Sequence, residues 1–191
     1  MNEHTAKRLI AFTSQSLKQH GIRAVRMDAI ARGLNVSKRT IYKTYGTKDN
    51  LINSCLESYT DRTQNMFQII KYSNPHPVSY LLELSRAFIH NLYKAECIFW
   101  TDITTHYQHI YTSIQGIWLE ELGKSILTCQ EASFVSENLN AKNFLHSFAT
   151  MLYHARTAGC SPDMLYDAAY FMLKGTMTAN GIKGLNASNG R

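Results

Sequence analysis

The sequence is short of structure-breaking residues: three prolines and ten glycines among 191 residues. With 45% hydrophobic and 18% charged residues, this excludes disorder over most of the chain and allows a full buried core. No stretch approaches the roughly 20 apolar residues of a membrane span, so no membrane partner is expected. The first apolar run, Leu9-Ile10-Ala11-Phe12, is too short and too polar at its flanks for a secretory signal. The four cysteines, Cys55, Cys97, Cys129 and Cys160, are far apart and form no C-x-x-C pair. That argues against a disulfide framework and fits a reducing, cytoplasmic setting. Motifs of chemistry are also missing. There is no H-E-x-x-H, Walker loop, G-x-S-x-G or dinucleotide fingerprint, so neither an enzyme nor a cofactor is expected. His106 and His109, and His146 and His154, are spaced to share a helix face. No cysteine or carboxylate set joins them, so they read as surface or core histidines and no metal is expected.

Acids are scarce in one place. Residues 1–50 hold ten lysines or arginines against three acids, a net +7, whereas residues 51–191 hold ten against eleven, a net −1. The overall +6 therefore belongs to the N-terminal quarter, as expected of an anion-binding head on a near-neutral body.

Helical periodicity is present nearly everywhere and no alternating strand pattern is convincing, so the fold class is all-α. About nine helices are expected, near 5–20, 27–34, 37–45, 47–72, 78–94, 97–106, 109–129, 141–158 and 162–182. Gly21 and Gly46 stop the first and third, and Asn74-Pro75-His76-Pro77 is the clearest break. The second and third helices are separated by only a tight turn, the spacing of a helix-turn-helix. Such a turn needs one residue in the left-handed conformation, and Asn35, the best choice after glycine, sits there. Ile30 and Ala31, Val36 in the turn, and Ile41 with Tyr45 supply the apolar contacts that hold the angle. Ser37 is placed to cap the third helix. Lys38, Arg39, Thr40, Tyr42, Lys43 and Thr44 remain outward. Long donors, hydroxyls and one aromatic ring form the set that reaches phosphates and base edges in a major groove.

Gly21, Met27, Ile30, Ala31, Leu34, Val36, Ser37, Thr40, Ile41, Tyr42, Tyr45, Lys48 and Leu51 together resemble the N-terminal domain of the tetracycline-repressor (TetR) family of transcription regulators. Asn35 stands where that family has the turn glycine, and Tyr45 where it has phenylalanine. Arg26 replaces a capping Ser or Thr, a loss of ~1 kcal/mol, although an arginine there suits a phosphate. The resemblance implies a helix-turn-helix DNA-binding domain at 1–48 and a helical effector-binding and dimerisation domain at 49–185. The residues at 186–191 are expected to fray. It also implies that Thr40, Tyr42 and Lys48 hold the DNA backbone while Lys38, Arg39, Lys43 and Thr44 touch bases or nearby phosphates. The implied partners are double-stranded DNA and a second copy of the chain, since one short recognition helix covers too few base pairs alone.

In the body, Phe144, Phe148, Met151, Leu152 and Ala155 make one apolar stripe. Leu165, Ala168, Ala169, Met172, Gly175 and Thr176 make another. The resemblance casts these stripes as a dimer interface, but a stripe alone reads equally as intramolecular core. Phe99, Trp100, Tyr107, Tyr111, Trp118 and Phe148 are candidates for an effector pocket, again with core as the competing reading. A small apolar or aromatic effector fits them better than a phosphate or a sugar. The expected function is a dimeric, ligand-released repressor on a near-palindromic operator. The alternative is a basic helical protein that grips nucleic acid without sequence preference, or docks a partner protein.

Overall fold

The computed structural model describes residues 3–189. They form ten helices: α1 Glu3–His20, α2 Met27–Leu34, α3 Lys38–Tyr45, α4 Lys48–Ser73, α5 Pro77–Tyr93, α6 Cys97–Thr105, α7 Gln108–Glu131, α8 Ala141–Thr157, α9 Pro162–Gly175 and α10 Ala179–Asn189. The only extended pairing among the described residues is an isolated antiparallel bridge between Val135 and Met177.

The chain divides into two compact units. The first gathers the chain up to Thr63 and adds Lys94–Ile114. The second holds Gln64–Tyr93 and the chain from Gln115 on. A break after residue 48 would cut α4 at its first residue. Instead α4 stays with the head as far as Thr63, and α6 belongs to the head as well.

In the first unit α1 buries Leu9, Thr13 and Leu17, one residue per turn on a single face. It packs against α2 and α6. Gly21 follows at φ +79°, donating its N–H to the Leu17 carbonyl (2.9 Å). A side chain there would be strained and would also run into the Asp102 carboxylate.

The second unit is built round α5, which buries Val78, Leu81, Leu82, Leu84, Phe88, Ile89 and Leu92 and packs against α8, α9 and α10. Rings fill the interior: Trp118 lies 5.0 Å from Phe67 and 5.2 Å from Phe88, which in turn meets Tyr153 edge-on at 5.9 Å. The Tyr80 hydroxyl donates to Glu121 (2.7 Å).

Ten helices replace the nine expected because the last predicted one, 162–182, is broken. α9 ends at Gly175, and the Thr176 hydroxyl turns back to the Leu173 carbonyl (2.7 Å). Ser136 N–H donates to the Thr176 carbonyl (2.9 Å) and Thr178 N–H to the Phe134 carbonyl (3.0 Å). These bonds replace helical ones, so α10 starts afresh. Gly181 on its first turns lies so close to the Phe134 carbonyl that any side chain would collide with it. The tail expected to fray, 186–191, lies partly within the described backbone. The backbone of α10 remains helical through Asn189, while Gly190 and Arg191 lie outside the described residues.

Candidate nucleic-acid interface

The turn between α2 and α3 has the predicted geometry. Asn35 adopts φ 54°, ψ 43°, and its N–H closes on the Arg32 carbonyl (3.2 Å). Val36 N–H then bonds the Ala31 carbonyl (3.0 Å). Ser37 caps α3 by accepting from Thr40 N–H (3.0 Å), and its hydroxyl also bonds the Thr40 hydroxyl (2.7 Å). Met27, Ile30, Ala31 and Ile41 are buried, and Val36 and Tyr45 are half-buried. The two helices are thus held by contacts on one side of α3 and leave its other side bare. Arg26 stands at the start of α2 with no side-chain cap bond, so that end lacks the support that α3 has.

Lys38, Arg39, Tyr42, Lys43 and Thr44 are exposed on α3 and Thr40 is half-buried. They are not equivalent. Lys38 pairs with Asp28 on α2 (2.8 Å) and lies over the Tyr42 ring (5.8 Å). That hydrogen bond holds the Asp28 carboxyl below, and the Lys38 ammonium above, their ordinary pKa values. Both groups are more than half exposed, where an ion pair contributes little and is readily exchanged for another anion. Among the described residues no carboxylate lies within ion-pair distance of Arg39 or Lys43. The Thr44 hydroxyl donates to its own helix at the Thr40 carbonyl (3.0 Å).

Lys48, expected on the DNA backbone, also makes a contact within the head. At the first residue of α4 it is half-buried, and its Nζ donates to the Ile22 carbonyl in the α1–α2 turn (2.6 Å). Burial pushes its pKa down. An ammonium has three donors, so the anchor leaves two for other acceptors.

A second anchor on this turn was not foreseen. Asp102, on α6, is only 5% exposed. Its Oδ2 accepts from the Arg23 N–H (3.0 Å), and Arg23 Nη1 reaches His106 Nε2 (3.0 Å). The signal in the sequence was a single carboxylate within an apolar helix, Cys97-Ile98-Phe99-Trp100-Thr101-Asp102-Ile103. A buried carboxylate requires a partner, and here that partner is the backbone of the head.

Residues 9–55 match the family model of bacterial regulatory proteins, tetR family. The head is a TetR-type DNA-binding domain. No curated protein matches the chain in sequence. Among solved structures, a TetR-family transcriptional regulator from Agrobacterium tumefaciens has 9% identity and a TM-score of 0.75, covering 92% of this chain and 99% of that one. A chain from Saccharomonospora viridis solved in complex with choline has 14% identity and a TM-score of 0.78, covering 92% and 98%. The fatty acid degradation regulator FadR from Bacillus halodurans has 15% identity and a TM-score of 0.71, covering 91% and 96%. At such identities the likeness is one of fold. The whole chain therefore has the fold of TetR-type regulators.

The six aromatic candidates for an effector pocket do not gather in one unit. Phe99, Trp100, Tyr107 and Tyr111 fall in the first and Trp118 and Phe148 in the second. Phe99 and Trp100 pack edge-on at 5.2 Å, and Trp118 and Phe148 are fully buried. These four are packed as core in the chain as it stands.

The dimer candidates also divide. Leu152, Leu165 and Ala169 are buried within the single chain and have no surface to offer a second copy. Phe144, Met151, Ala155, Ala168, Met172 and Thr176 are half-buried and Gly175 is exposed. The exposed residues of α9 overlap the predicted stripe only at Gly175. They include Met164, Asp167, Phe171 and Gly175, with Met164 59% and Phe171 66% exposed and Ala168 half-buried beside them.

Proposed function

We propose that this TetR-type regulator is a sequence-reading homodimer that represses transcription until a small apolar or aromatic effector releases it. The observation that carries the reading is α3. It is capped at Ser37, held at a fixed angle by Asn35, and presents Arg39 and Lys43 without acidic partners beside an exposed Tyr42. Arginine and lysine pair with guanine O6 and N7, each good contact being worth ~1–3 kcal/mol of discrimination. Lys38 joins them by exchanging Asp28 for DNA. Arg26, Ser37, Thr40, Tyr42, Thr44 and Lys48 position the backbone phosphates.

The second copy is engaged through the exposed α9 stripe together with Phe144, Met151 and Ala155 of α8. Two recognition helices then meet half-sites ~34 Å apart. The effector works by population shift. α4 is one continuous helix from Lys48 to Ser73, so a change at its far end moves the residue that anchors the α1–α2 turn. The structurally similar chain from Saccharomonospora viridis, solved in complex with choline, is a precedent for a small ligand in this fold.

Arg39→Ala and Lys43→Ala, assayed by fluorescence anisotropy on a preferred duplex and a scrambled one, are expected to narrow the ratio of the two affinities. Equal loss on both duplexes would assign these residues to phosphates and remove the claim of base reading.

A further inference from the structure

Away from α3, the first unit holds a second concentration of positive charge. A cleft of about 410 Å³ is lined by Ala11, Ser14, Gln15, Lys18 and Gln19 of α1, by Arg62 of α4 and by Lys94. The α1 residues form one helical face at i, i+3/i+4, i+7/i+8 spacing. The cleft has three cations and no acid in its lining. The chain sets them together deliberately in one respect: Glu96 N–H donates to the Lys18 carbonyl (2.8 Å), which brings the segment carrying Lys94 onto the end of α1. Arg62 keeps its Nε on its own helix at the Ser58 carbonyl (3.0 Å). No carboxylate among the described residues lies within ion-pair distance of Lys18, Arg62 or Lys94. Lys18 is half-buried, and burial, then the charges of Arg62 and Lys94, push its pKa down. The Ser14 hydroxyl oxygen is buried beside Cys55, whose thiol donates to the Ile10 carbonyl (3.7 Å).

Like charges gathered at a partly desolvated site are destabilising unless an anion joins them. We propose that this cleft binds a small anion bearing phosphate or carboxylate groups, with Lys18, Arg62 and Lys94 supplying the charge. The amides of Gln15 and Gln19 supply neutral donors. The occupant proposed is a small anion rather than the DNA backbone. Arg62 is fourteen residues along α4 from Lys48, about 21 Å at 1.5 Å per residue. The bound anion ties α1, α4 and the segment before α6 together, so it stabilises the first unit.

The test uses the full chain and inorganic phosphate as probe, by isothermal titration calorimetry with ionic strength held constant by sodium chloride. Saturable binding at one site per chain is expected, with phosphate raising the thermal midpoint. The double variant Arg62→Gln/Lys94→Gln should bind at least tenfold more weakly and lose the phosphate-dependent rise, while Lys43→Gln on α3 should bind as the parent does. Arg62 and Lys94 are exposed, so the fold should survive; Lys94→Gln alone serves if the double variant does not fold. Absence of saturable binding overturns the proposal, as does binding unchanged by the cleft substitutions. Loss of binding through Lys43→Gln overturns it too, because the phosphate would then sit on the DNA-reading face.

Discussion

At the scale of single residues, the head separates reading from anchoring. Arg39 and Lys43 are exposed, whereas Lys48 and Asp102 are half-buried or buried on the α1–α2 turn. Lys48→Met should therefore do more than remove a phosphate contact. It leaves the Ile22 carbonyl without its donor, a cost of about 1–3 kcal/mol where such a group stays buried. The thermal midpoint of the free protein should fall as well as its DNA affinity. A variant as stable as the parent, with only a shallower salt dependence, would return Lys48 to a purely phosphate-holding role. In the second unit, burial pushes the Cys129 thiol from 9.0 to about 11. The folded value is raised, so the contribution is intact below pH 9, where both states keep the proton. It is lost as pH rises towards 11, because only the unfolded chain deprotonates in that window. Cys129→Ala should lower stability at neutral pH yet flatten its decline between pH 9 and 11 in denaturant titrations. An unaltered alkaline slope would show that the thiol is not the source.

At the scale of elements, the caps differ in a way that can be measured. Ser37→Ala removes the bond to Thr40 N–H and should cost ~1 kcal/mol, whereas Arg26→Ser supplies α2 with a cap it lacks and should add a similar amount. If Arg26 also grips a phosphate, that stabilised variant will bind DNA more weakly, and urea denaturation beside anisotropy separates the two effects. These elements were legible in the sequence because their signals are local. Asn35, Ser37 and Gly46 sit at helix ends whose chemistry is decided within four residues. The break before α10 was not legible, since it depends on Ser133 to Ser136 accepting and donating bonds forty or more residues away. The lock between Asp102 and Arg23 was hidden for the same reason: seventy-nine residues separate its partners. A stripe likewise does not say what it faces. Leu165 and Ala169 read as interface in the sequence, but α5 and α8 cover that side of α9.

At the scale of the whole molecule, the near-neutral body and the +7 of residues 1–50 assign the two tasks to different parts of the chain. Met164 and Phe171, both well exposed on α9, leave apolar surface in water unless another surface covers it. Phe171→Glu should give a monomer by sedimentation velocity and, by removing the second half-site contact, weaken operator binding by orders of magnitude; an unchanged dimer would move the interface elsewhere. The proposed function has α3 reading sequence as one of a pair. Selection from a random duplex pool at near-physiological salt, followed by sequencing, tests it most directly. The predicted result is an enriched near-palindrome with half-sites one helical turn or a multiple of it apart. No enrichment, with binding that vanishes as salt rises, would contradict it and leave the basic head as a sequence-blind grip.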